Sequence, residues 1–99
     1  MEKKYKINLT RHAQIDLDQI YSYIAADNPA NAINFVLQLE KKVYSLNTFP
    51  ERHSFIPENE YFETDYRHLI YKNYRIIYRV TKEAIFILRI VHGARMLQV

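Results

Sequence analysis

Residues 66–92, YRHLIYKNYRIIYRVTKEAIFILRIVH, decide the fold. Tyr66–Tyr71 and Tyr74–Val80 flank Lys72-Asn73, a two-residue connection of hairpin length, although Lys-Asn signals a turn less strongly than Asn-Gly. Ile85–His92 is rich in Ile, Phe, Leu and Val, and Thr81-Lys82-Glu83 turns into it. Three consecutive short strands read as a meander. Side chains alternate across a strand, so one face of this sheet is expected to carry Ile76, Tyr78 and Val80 with Phe86, Leu88 and Ile90. The opposite, open face would then carry Arg75, Arg79 and Arg89, with Arg67 from the neighbouring strand.

Before the meander, residues 48–65 include Pro50, Pro57 and Asn59 and show no clean period. They are expected to form a loop, long for a compact domain, and such loops tend to be functional or mobile. Further upstream the period changes to that of helices. Ala32, Phe35, Val36, Leu39, Val43 and Leu46 make one apolar face, preceded by Asp27-Asn28-Pro29, where Asp27 or Asn28 caps and Pro29 fits the first helical position. Ala13, Leu17, Ile20, Tyr21 and Ile24 make another, with Thr10 offering the capping oxygen and Asp16 and Asp18 suiting the positive helix end. Tyr5–Leu9 alternates as a first half-buried strand. The order is β-α-α-β-β-β, and two apolar helical stripes need a sheet to cover. The fold class is therefore α+β: a mainly antiparallel twisted sheet with a helical hairpin packed on one face.

The chain of 99 residues, with 48% hydrophobic and 25% charged residues, makes one domain over 1–99 with a single modest core. It has no Cys, which excludes disulfide scaffolds, Cys-based zinc sites, iron–sulfur clusters and thiol nucleophiles. Its one Gly, Gly93, cannot write a phosphate-binding glycine loop. No run is long and apolar enough for a membrane span or signal peptide, so a cytoplasmic, membrane-free protein is expected. His12, His53, His68 and His92 lack metal-ligand spacing, and neither a metal nor a cofactor is implied.

The net charge of +3 is unevenly spread. Residues 1–65 hold seven Lys and Arg against ten Asp and Glu, whereas residues 66–99 hold seven against Glu83 alone. A basic half points to an anionic partner, either nucleic acid or an acidic protein segment. Adjacent guanidinium groups on an open face repel unless an anion lies between them, which suits phosphate or carboxylate. His92, at a strand end beside Gly93 and near the basic terminus, is the histidine best placed for acid–base work. Nine Tyr offer stacking surfaces, but Tyr21, Tyr23, Tyr44 and Tyr78 fall at spacings that packing already explains.

Several stretches in order resemble the RelE/ParE toxin superfamily over nearly the whole chain. They are Leu9-Thr10-x-x-Ala13-x-x-Asp16-Leu17-x-x-Ile20-x-x-Tyr23-Ile24, Phe49-Pro50, Arg67, Tyr74-Arg75-Ile76-Ile77-Tyr78-Arg79-Val80, and Ile87-Leu88-Arg89-Ile90-Val91-His92-Gly93-Ala94-Arg95. Leu88 to Arg95 resembles the ParE, or plasmid-stabilisation, branch in particular. The resemblance implies the toxin half of a type II toxin–antitoxin pair, silenced in a hetero-oligomer by an acidic, wrapping segment of its antitoxin. It also implies one of two activities. RelE-like members cleave mRNA in the ribosomal A site, and ParE-like members inhibit DNA gyrase. One fold hosting both cannot choose between them.

Residue by residue, Arg75 matches the phosphate-binding arginine of the RelE strand and Arg95 its late C-terminal arginine. The RelE lysine pair is represented by Arg67 and His68 at best, and the C-terminal catalytic tyrosine would fall beyond Val99. A ribonuclease would need Arg75, Arg95 and His92 to carry 2′-OH attack on the phosphodiester. The thinned set favours the ParE-like expectation instead, a non-enzymatic gyrase inhibitor. On that expectation Arg67, Arg75, Arg79, Arg89 and Arg95 bind the target or the antitoxin.

Overall fold

A computed structural model describes residues 3–93 of the chain; Arg95, and with it the late arginine of the nuclease set, lies outside the described residues. The elements are β1 (Lys6–Leu9), α1 (Arg11–Ala25), α2 (Pro29–Tyr44), α3 (Asn59–Phe62), β2 (Arg67–Tyr71), β3 (Tyr74–Val80) and β4 (Ala84–His92). They form one four-stranded sheet in the order β1-β4-β3-β2. The β2–β3–β4 meander is antiparallel, and β1 joins β4 in parallel. The architecture is the expected α+β one, with the α1–α2 hairpin on one face.

The helix starts follow from their capping residues. The Thr10 hydroxyl accepts from the Ala13 N–H at 3.3 Å and donates to the Ile87 carbonyl at 2.7 Å, so the cap also pins α1 to β4. The Asn28 side chain accepts from the Asn31 N–H at 3.1 Å, and Pro29 occupies the first turn of α2. Beneath the hairpin, Ala13, Ile20, Leu39 and Val43 pack against Leu69, Ile76, Tyr78, Ile85, Ile87 and Ile90.

Two expectations are corrected here. The first concerns β4. The register passes from Ile77↔Arg89 to Tyr78↔Ile87, leaving Leu88 as the extra residue of a β-bulge. Because side chains alternate with period two, one extra residue shifts which side chains face the helices. Ile85 and Ile87, rather than Phe86 and Leu88, join the core beneath the hairpin, while Ile90 regains that face beyond the bulge. Leu88 packs instead on a second cluster made by Ile56, Ile77 and Val91 with Tyr66.

The second correction concerns residues 48–65, which are structured. A 3-10 turn spans Pro50–Arg52, Phe55 bridges Arg67 at the edge of β2, and α3 follows. Asn59 holds the return of the chain. Its amide nitrogen donates to the Tyr66 carbonyl at 2.9 Å, and its oxygen accepts from the Tyr66 N–H at 3.1 Å and the Thr64 hydroxyl at 2.7 Å. The segment straps the sheet face opposite the helices, placing Ile56 over Ile77 and Val91. The face that the alternation left open is therefore partly roofed.

Candidate functional site

The arginines expected to share one open surface are dispersed. Arg75 is 5% exposed, and its two terminal nitrogens donate to the two carboxylate oxygens of Glu58 at 3.0 and 2.6 Å. Glu58 comes from the strap and is itself 1% exposed. Arg89 meets α1: its Nε and Nη2 donate to Asp16 at 2.8 and 3.1 Å. The same carboxylate accepts from the Ile90 N–H at 2.8 Å, so Asp16 braces the backbone just beyond the bulge. That hydrogen bonding raises the pKa of Arg89 above its ordinary value. Asp16 thus serves as an internal brace, where the sequence suggested a charge at the helix start.

Arg67 shares the face of Tyr78, its cross-strand partner, and not that of Arg75. Its Nη1 donates to the carbonyls of Glu51 at 3.1 Å and His53 at 2.6 Å, and its guanidinium lies 3.9 Å over the Phe55 ring. Arg79 alone among the four described strand arginines is fully on the surface.

His92 is exposed at the end of β4, its ring edge-on to Tyr74 with centroids 5.7 Å apart. Beside it lies a groove of about 460 Å³ bordered by Asp16, Gln19, Tyr23, Asn73 and Tyr74. The described residues lining this groove include a carboxylate and no lysine or arginine, the reverse of what a pentavalent phosphate requires. Tyr71 and Tyr74 each pack against the Phe35 ring, with centroids 5.7 and 5.6 Å apart. Among the described residues, the groove sets the His92 imidazole beside the Asp16 carboxylate with no lysine or arginine in its lining.

His53, to which the sequence assigned no role, and His68, set at best with Arg67 in place of the RelE lysine pair, lie in the strap and β2. His53 Nε2 and His68 Nδ1 are buried without a hydrogen-bond partner among the described residues. Burial, then Arg52 and His68, lowers the pKa of His53; burial, then Arg75, lowers that of His68 against the opposing pull of Glu58. Tyr78 donates to the Pro50 carbonyl, and burial pushes its hydroxyl up to about 12. No spacing signal in the sequence marks these contacts, because each joins the strap to a strand. Among the described residues no group of three or more His, Cys, Asp or Glu is placed to hold a metal ion.

The family model of the ParE toxin of type II toxin–antitoxin system, parDE, matches residues 7–97. The chain belongs to the ParE toxin family. Among solved structures, the ParE-family chain is similar to one described as the chromosomal ParDE TA system from P. aeruginosa. The two share 26% identity with a TM-score of 0.72, over 91% of this chain and 97% of that one. No match to a curated protein reaches significance. Among the described residues of this ParE-family chain, no helix is long and apolar enough to cross a membrane.

Proposed function

We propose that this ParE-family protein is the toxin of a type II pair, arrests growth by binding and inhibiting DNA gyrase in the cytoplasm, and is neutralised by a cognate antitoxin. The observation that carries the non-enzymatic part is Arg75, buried and clamped by both oxygens of Glu58. A phosphate-stabilising arginine must reach its substrate, and this one is enclosed under the strap. The groove beside His92 supports the same reading, since its described lining has no cation. The antitoxin follows from family membership and from the likeness to a ParDE system.

A supercoiling assay with purified gyrase and the purified chain, with and without antitoxin, tests the reading. Loss of supercoiling or trapped cleaved DNA, reversed by antitoxin, is the expected result. Unaffected gyrase at high toxin excess, together with new message 5′-ends at codon positions after induction, would replace it with RelE-like mRNA cleavage.

A further inference from the structure

One row of side chains crosses the sheet outside both core clusters. Asn8 on β1 lies opposite Phe86 on β4, and Phe86 lies opposite Arg79 on β3, so the three share a face. Phe86 alternates with Ile85 and Ile87 of the core beneath the hairpin, so that face is the one turned away from the hairpin. Lys6, two residues before Asn8 and opposite Ala84, joins them. Lys6 and Arg79 are exposed, while Asn8 and Phe86 are half-buried. Among the described residues, the side chains of Lys6, Asn8 and Arg79 have no hydrogen-bond or ion-pair partner. Strand spacings put the Cα atoms of Lys6 and Arg79 about 12 Å apart on a diagonal, with the strand of Phe86 between them.

We infer that this row binds a single strand of nucleic acid, with a base stacked on Phe86 and phosphates held by Lys6 and Arg79. The three strands that build it, β1, β3 and β4, contain no Asp or Glu. The turn into β4 brings Glu83 beside Lys6, whose N–H its carbonyl accepts at 3.0 Å, and it brings Lys82 with it. The acidic strap is directed elsewhere. Glu58 is paired with Arg75, four residues and about 13 Å back along β3, and the chain after it returns to β2, the sheet edge opposite β1. Glu51 lines a groove with Lys3 and Arg52. An acidic protein segment would meet the same two cations, but protein interfaces centre on apolar groups, and this row offers a single half-buried ring. A ring set between two cations suits a base between two phosphates, and the Asn8 amide presents a donor and an acceptor to a base edge. A duplex keeps its bases stacked inside, so the strand is single. The row binds and does not cleave, since Arg75 is enclosed and His92 lies six residues beyond Phe86 at the end of β4. The inference goes beyond the gyrase reading and does not rest on it.

The test is fluorescence anisotropy of the purified full chain with labelled oligo-dT and oligo-U strands over a salt series, for the wild type, Lys6→Gln, Arg79→Gln and Phe86→Leu. Thermal unfolding of each variant runs alongside. The first two change exposed side chains, and Phe86→Leu keeps an apolar group at a position outside both core clusters. Binding of one or both strands is expected, and the strand that binds names DNA, RNA or both as the source. Each charge variant is expected to flatten the slope of log K against log salt by about 0.7, and Phe86→Leu to weaken binding about five-fold or more. No binding at about 50 mM salt, or binding unchanged in the folded variants, overturns the inference. So does a Phe86→Leu variant that binds like the wild type, because the ring would then stack on nothing. A polyglutamate peptide that displaces the strand at equal charge assigns the row to an acidic protein and also overturns it. Gyrase supercoiling keeps the two readings apart: a wild type that binds strands but is inert toward gyrase upholds this inference and removes the gyrase target, and a wild type that inhibits gyrase but binds no strand overturns this inference alone.

Discussion

Replacing Glu58 with Leu leaves the Arg75 guanidinium buried without its carboxylate. The pair is closed on both sides, with side chains 6% and 1% exposed and bonds of 3.0 and 2.6 Å, so solvent cannot take over for the lost partner. Breaking a buried pair by removing one member costs about 3–5 kcal/mol. In a domain of this length each kcal/mol moves the unfolding midpoint by about 4–8 °C, so Glu58→Leu should lower it by at least about 12 °C. The loss should also spread, because Glu58 anchors the strap that seats Ile56 on Ile77 and Val91.

The paired replacement Arg75→Met with Glu58→Leu separates stability from function. Exchanging both members of a buried pair for apolar groups of similar volume is often neutral or stabilising, so the double variant should recover most of the loss. Thermal and urea unfolding of the two single variants and the double variant closes the cycle. Growth arrest on expression without antitoxin then reports on function, and the refolded double variant should keep it. A double variant that is folded but harmless would refute the reasoning, since Arg75 would then act on the target despite its burial. A Glu58→Leu cost below about 1 kcal/mol would refute the other half, because the pair would not be holding the strap.

Asp16→Asn leaves one acceptor oxygen for three donors, Arg89 Nε, Arg89 Nη2 and the Ile90 N–H, and should cost about 2–3 kcal/mol in urea unfolding. A cost near zero would show that the bulge holds without its brace. Stability should also depend on pH through His53 and His68, whose pKa values lie below 6.5 in the folded chain. The unfolded chain takes up protons first as pH falls through 6.5, so stability is complete above that pH and declines below it. Urea midpoints at pH 7.5 and 5.5 should differ less in a His53→Gln/His68→Gln variant than in the wild type, and equal differences would remove the histidines as the cause.

The elements were legible because each rests on local signals. Thr10 and Asn28-Pro29 mark helix starts through their own side chains, and the helical stripes and strand runs carry their periods within a few residues. What escaped reading depends on a count broken across two strands or on a contact distant along the chain. Alternation applied strictly to β4 fails at Leu88, where the bulge shifts the parity, and nothing in Ile87-Leu88-Arg89 distinguishes a bulged residue from a regular one. Residues 48–65 have no period because their order comes from Asn59, Glu58 and Phe55 bonding to β2 and β3 rather than from a repeating pattern. The arginines that match the superfamily were visible; their carboxylate partners, 17 and 73 positions away, were not.

The charge asymmetry takes on a different meaning once those partners are known. An acidic first part and a basic second part suggested a surface awaiting an anion, but the chain brings the two together in its own fold. Asp16 and Glu58 come from the acidic part, Arg89 and Arg75 from the basic part, and each pair crosses from one layer to the next: helix to sheet, and strap to sheet. A four-stranded sheet in a domain this small has two faces to cover and only one helical hairpin to cover them. One pair fastens α1 to β4 and the other fastens the strap to β3. Arginine suits the task because a planar fork can meet both carboxylate oxygens at once and fix the angle of approach as well as the distance. Much of the positive charge in the second part is therefore structural. Among the described strand arginines, Arg79 alone stays fully on the surface, and Arg67 is tied to the strap through Nη1 and the Phe55 ring.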